Sequence, residues 1–229
     1  MSVLGTGIYP LSQAAKLLGT EPRALRRWLY GYARKYHGKH VRSLPLWTTQ
    51  HEGQGLPGEV IGFRDLLEAR MVLAFLQHGV NLKVIRATIE AASQQYGTDF
   101  PLTQRAFLTD GKRIFLDAVE TATGEEKIID VLKKQFVFSD IIKPSLYAGI
   151  EYGIDGATRW YPLEDKKTVV LDPGRQFGTP IITDSGIPTD TIYASYLAEL
   201  RDTAMVARIF NLSPSMVDDA VEFEERLAA

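Results

Sequence analysis

Three arginines, Arg23, Arg26 and Arg27, carry the clearest chemistry in this chain. A guanidinium is always charged, and its planar fork can bind guanine O6 and N7 bidentately or grip a phosphate. Leu25, Trp28 and Leu29 stand at i, i+3 and i+4 and form one apolar stripe, which places the arginines on the other side of a helix. Arg34, Lys35, Lys39 and Arg42 follow, interleaved with Tyr32 and Tyr36. The spacing serves base contact and phosphate contact equally well.

Other chemistries find little support. The chain has 229 residues and no cysteine, so it has no disulfide, thiolate metal site or thiol nucleophile. His37 and His40 stand at i, i+3 without a third ligand nearby. Asp218-Asp219 and Glu224-Glu225 are adjacent and diverge on a helix, as a solvated face does. Walker, G-x-G-x-x-G and G-x-S-x-G motifs are absent. The expectation is a non-enzymatic protein without metal or cofactor. The first residues lack a signal-peptide layout, and no apolar run approaches the roughly 20 residues that span a bilayer, so the expected location is cytoplasmic.

Charge is unevenly spread. Residues 1–44 hold eight Lys/Arg and one acid, whereas residues 165–229 hold six Lys/Arg and eleven acids. A basic head and an acidic tail suggest two partners, the head's being a polyanion.

The head must position the arginines. Ser12 is read as the N-cap of a first short helix, which Gly19 ends. Thr20 is read as the N-cap of the next, with Pro22 in its first turn. That is a helix-turn-helix, and Ser12 and Thr20 join the arginines and lysines as expected DNA contacts. Leu46–Thr49 and Glu59–Ile61 read as two strands around a glycine-rich wing, HEGQGLPG. Phe63–Gln77 reads as an apolar helix, and Asn81 caps another. The order helix-turn-helix, wing, then FRDLLEARMVLAFLQHGVNLKVIRATI resembles the MerR-type winged helix-turn-helix over residues 8–95. Gly79-Val80-Asn81-Leu82-Lys83-Val84-Ile85-Arg86 matches that family's G-V-x-L-x-x-I-R. Gly31–Leu44 is longer than its counterpart there. Gly97 and Pro101 interrupt the chain where that family continues into a long dimerisation helix.

The middle reads as β-rich and dimerising. Arg113–Val119, Lys127–Leu132, Gln135–Phe138, Ile150–Tyr152 and Thr158–Tyr161 are the expected strands, with turns at Asp110-Gly111 and Asp155-Gly156.

In the tail, Thr168–Leu171 and Gly178–Ile182 read as strands. Helices are expected over about Thr191–Arg201, over Thr203–Phe210, and after Ser213-Pro214. GTPIITDSGIPTDTI followed by DTAMVARIFNLSPSMVDDAVEFEERL resembles the small C-terminal domain of VapB-type antitoxins, partners of PIN-domain ribonuclease toxins. That resemblance implies an antitoxin that binds operator DNA and its cognate toxin, and the helix-turn-helix adds the expectation of a homodimer on a two-fold operator. The family's C-terminal cation reaches the toxin's carboxylates, but here Glu222, Glu224 and Glu225 surround Arg226, so Arg175, Arg201 and Arg208 join it as expected toxin contacts. The alternative is a MerR-like, effector-responsive regulator without a toxin. The expected fold class is α+β: a winged helix-turn-helix over 1–98, a β-rich segment over 99–164, and a small helix-turn-helix-like domain over 165–229.

Overall fold

Leu11, Ala14, Ala15 and Leu18 recur at helical spacing and are all buried, which sets the first helix, α1 (Leu11–Leu18), against its neighbours. The computed structural model describes residues 3–36, 39–123, 138, 148–154 and 156–228. Among them the chain is mixed α and β, with eight helices and four separate two-stranded antiparallel ribbons. The first ribbon pairs β1 (Tyr9–Pro10) with β4 (Val60–Ile61). α2 (Pro22–Tyr30) runs directly into the second, formed by β2 (Tyr32–Tyr36) and β3 (Lys39–Ser43). α3 (Phe63–Gln77) has the expected bounds, and α4 (Leu82–Tyr96) starts where expected, directly after Asn81. Asn81 caps α4 as expected, its Oδ1 accepting the Val84 N–H at 3.0 Å.

Two caps fall elsewhere than expected. Pro10 rather than Ser12 precedes α1, and Glu21 rather than Thr20 precedes α2; neither gives a side-chain cap bond. Pro22 at the first position already supplies helical φ and lacks the N–H that a cap would satisfy.

The middle segment overturns the strand expected at Arg113–Val119. Residues Phe107–Thr123 form one helix, α5, and Asp110-Gly111 lies inside it rather than in a turn. Phe107, Ile114, Phe115, Ala118, Val119 and Ala122 are buried, a 3.6-residue period visible only over the whole window. Phe115 stacks on Phe75 of α3, ring centroids 5.5 Å apart. Lys127–Leu132 and most of Gln135–Phe138 lie outside the described residues. Phe138 itself is buried with helical backbone, 5.7 Å from the Phe115 ring. The expected late hairpin is present as β5 (Ile150–Gly153) and β6 (Gly156–Trp160).

In the tail, β7 (Val169–Val170) pairs with β8 (Ile181–Ile182). Helices α6 (Thr189–Ala198), α7 (Thr203–Phe210) and α8 (Pro214–Ala228) pack over this ribbon, burying Ile192, Val206, Val217 and Phe223 in a core of their own. A second core runs from Tyr9 through α5 to Trp160 and Leu171. The two meet at Leu17, which packs against both. Close backbone contact tightens the junction: Ile8 N–H donates to Phe177 O at 2.9 Å, and Tyr9 Oη donates to Gly178 O at 2.9 Å. Gly178 has φ +84°, and a Cβ there would collide with the Tyr9 hydroxyl. No helix among the described residues is long and apolar enough to cross a membrane.

Candidate nucleic-acid interface

Leu25, Trp28 and Leu29 bury one side of α2, which leaves Arg23, Arg26 and Arg27 exposed on the other. The structure thus brings the three expected arginines together, and it gives each a different setting. Arg23 has no carboxylate partner among the described residues. Arg26 Nε donates to Glu59 Oε1 at 2.6 Å, so part of its fork is already used. The Arg27 guanidinium lies over the Tyr32 ring, 5.6 Å from its centroid, a cation–π contact that holds the fork in place. These arginines, Gly31, Tyr32 and Ala33 line a surface cavity of about 290 Å³ at the junction of α2 and β2.

The hairpin β2–β3 carries the other expected cations. Lys35 pairs in register with His40, Arg34 with Val41 and Ala33 with Arg42, while Lys39 faces Tyr36 at the turn. Arg42 is exposed. Basic residues therefore continue in the sequence from α2 into the β2–β3 ribbon. This corrects the wing position: the expected wing strand Leu46–Thr49 has no strand conformation, and Val60–Ile61 pairs with Tyr9–Pro10 instead. Glycines in HEGQGLPG marked a loop. Alternation of polar and apolar residues is weak in the true hairpin.

Gly31 makes the hairpin possible. It has φ +69° directly after α2, and a Cβ there would collide with the Ser43 carbonyl oxygen. Two further groups hold the ribbon's base. Leu46 N–H donates to Trp28 O at 2.8 Å. Arg86 of α4 donates from Nη1 to Pro45 O at 2.6 Å and from Nη2 to Leu44 O at 2.7 Å. The arginine that ends the G-V-x-L-x-x-I-R motif is thus a clamp on the chain leaving the hairpin.

Asp65 organises the loop between hairpin and α3. It is fully buried and accepts the Trp47 indole N–H at 2.9 Å, the Gln50 N–H and the Gly62 N–H. Burial raises its pKa against the lowering effect of these donors. Glu59 and Asp65 were not singled out in the sequence. For Asp65 the acid three residues after Gly62, at a helix start, was a usable signal; Glu59 left none.

The remaining expected contacts are less committed. Ser12 is exposed in the first turn of α1, and Thr20 is half-buried in the turn, its N–H donating to Ala15 O. His51, outside the expected set, is buried and bonded, with Nε2 2.8 Å from Gly7 O. In the tail, Arg175 is half-buried and donates from Nη1 to Thr183 O at 2.7 Å. Arg226 pairs with Glu222 one turn away on α8. Arg201 and Arg208 are exposed, without a carboxylate partner among the described residues.

The fold and this face define a helix-turn-helix domain with a basic ribbon appended. Residues 7–89 match the family model described as "Putative DNA-binding HTH domain". Over 94% of this chain and 92% of the relative, the sequence is 26% identical to "Putative antitoxin VapB45" of Mycobacterium tuberculosis. The crystal structure of Rv2018 from Mycobacterium tuberculosis has the same fold, with TM-score 0.69 and 19% identity, over 95% of this chain and 98% of that one.

Proposed function

We propose that the protein is a DNA-binding antitoxin that represses its own operon and neutralises a ribonuclease toxin. The observation that carries the DNA half is the exposed arginine side of α2 on a helix-turn-helix scaffold, from which the chain runs directly into the Lys- and Arg-rich β2–β3 hairpin. α2 enters the major groove, Arg23 and Arg27 contact bases or phosphates, and the hairpin cations, Arg34, Lys35, Lys39 and Arg42, follow the neighbouring backbone. Ser12 and Thr20 are minor phosphate contacts. In this reading the head is MerR-like, the protein is a homodimer on a two-fold operator, and residues 1–98, 99–164 and 165–229 are its three parts.

The antitoxin half draws on the near full-length similarity to a relative named as an antitoxin. The tail, 165–229, is the part assigned to the toxin, a PIN-domain ribonuclease. Of the four arginines assigned there, Arg175 and Arg226 are held by internal partners, so Arg201 and Arg208 are the ones the surface offers.

A second reading, an effector-responsive regulator without a toxin, draws on a cavity of about 380 Å³. It lies between α2, the hairpin and α4, and Trp28, Leu46 and Leu82 are in its lining. A small molecule seated there would press on Arg27 and Tyr32.

The two separate in one experiment: co-expression with the neighbouring open reading frame, size-exclusion chromatography and a ribonuclease assay. The antitoxin reading expects a stable complex with silenced activity. No complex, together with operator binding altered by a small molecule, would replace it with the second reading.

A further inference from the structure

We propose that the outer face of α7 is a self-association surface, on which a second copy of this chain lays its own α7 antiparallel about a two-fold axis at Met205. The inner side of α7 is used up, with Val206 and Ala207 buried. Its outer side exposes Met205 (39%) and Ile209 (52%), and the preceding turn exposes Leu200 (92%). Leu200 and Arg201 both have positive φ, +54° and +67°. Two consecutive non-glycine residues in that region carry backbone strain, and here the strain turns a leucine toward solvent.

Charge selects the occupant. Two carboxylates mark the N-terminal end of α7: Asp202, whose Oδ1 accepts the Met205 N–H, and Asp218 of α8, which accepts the Thr203 hydroxyl at 3.1 Å. Arg208 marks the C-terminal end, without a carboxylate partner among the described residues. Such a helix complements itself only when reversed. With Met205 against Met205 of the second copy, Arg208 reaches that copy's Asp202 and Asp218, and Ile209 meets its Leu200 turn. A parallel copy would set arginine against arginine. Nucleic acid is a poor occupant, because Asp218, Glu222 and Glu225 lie along the adjoining helix. One eight-residue helix and a turn bury little area, so the expected dissociation constant is on the order of 10 µM. This assignment takes Arg208 out of the toxin-facing set and leaves Arg201 at the edge.

The test uses the full chain without DNA or toxin, so its failure leaves DNA binding and toxin neutralisation standing. The sequence has no cysteine, so Met205→Cys introduces a single thiol. Under mild oxidation M205C is expected to become a covalent dimer, whereas Lys112→Cys, exposed on α5, stays mostly monomeric. In sedimentation equilibrium, Ile209→Asp and Arg208→Glu should each raise the dissociation constant at least tenfold. Adding Asp218→Lys to Arg208→Glu should recover part of the loss. A wild-type chain that stays monomeric at several hundred micromolar, or M205C oxidising no faster than K112C, would overturn the proposal. So would a monomeric wild type whose Ile209→Asp variant loses toxin binding instead, which would give the face to another protein.

Discussion

At the scale of residues, the three arginines of α2 are not equivalent. Arg26 shares its fork with Glu59, Arg27 is braced on Tyr32, and Arg23 has no such carboxylate or ring contact among the described residues. An exposed ion pair is itself worth little, but it competes with DNA for the same donors. Arg23→Ala and Arg27→Ala should each weaken operator binding about tenfold, and a residue on phosphate should also lower the salt slope by about one. Arg26→Ala should cost less, and Glu59→Gln should strengthen binding by freeing Arg26. Fluorescence anisotropy over a salt series distinguishes these outcomes; equal losses for all three alanine variants would contradict the partition. A second residue, Glu68 of α3, is fully buried, and burial pushes its pKa up to about 8 although Thr103 donates two bonds to it. Its folded pKa therefore exceeds its unfolded one, so between about pH 4.5 and 8 the folded state holds a proton that the unfolded state has released. Stability from this group is present below that window and is lost as pH rises through it. Glu68→Gln should flatten the decline in denaturant midpoint between pH 5 and 8; an unchanged slope would place the proton elsewhere.

At the scale of elements, the hairpin stands on two supports that can be tested separately. Gly31→Ala forces a Cβ into the Ser43 carbonyl and a side chain into left-handed backbone. It should lower the melting temperature by several degrees and reduce DNA binding together with it. Arg86→Met keeps the fold but releases the Leu44 and Pro45 carbonyls. It should leave the melting temperature nearly unchanged, speed amide exchange at the ribbon's base, and weaken operator binding severalfold. Legibility in the sequence followed burial. The apolar stripes of α2, α4 and α8 could be read because one buried face repeats along each, and α3 because it is apolar and buried nearly all round. α5 was misread because KRIFLDAV, seen alone, is a short apolar run that fits strand or helix equally, and its helical period needs Phe107 and Ala122 to show. The hairpin was misplaced because Tyr32–Ser43 is polar and basic and lacks the apolar alternation that marks a strand. The arginine side of α2 was legible for the opposite reason: whatever Leu25, Trp28 and Leu29 leave out must be exposed. Glu59 could not be found, since its partner lies 33 residues away and only the β1–β4 pairing brings it near.

At the scale of the whole molecule, head and tail meet at close contacts among the described residues. Tyr9 of β1 reaches Gly178 beyond β7, and burial raises its phenol pKa far above the usual tyrosine range. Tyr9→Phe removes the donor and leaves a buried carbonyl unpaired, which should cost about 1–2 kcal/mol in urea unfolding. If the transition splits in two as well, the junction also couples the two cores; a Tyr9→Phe chain of wild-type stability would show that the contact contributes nothing. The junction gives a physical route by which occupancy of the tail could bear on β1 and α1, and so on the helix that carries the arginines. The measurement that bears most directly on the account is operator binding by the intact chain. Duplex DNA from upstream of its own gene would be titrated with wild type and with the Arg23→Ala, Arg27→Ala double variant, alongside a scrambled duplex. The account predicts that wild type prefers the upstream duplex by at least a hundredfold, and that the double variant folds normally yet loses most of this preference. Equal binding to both duplexes, or a double variant that binds as wild type does, would contradict it.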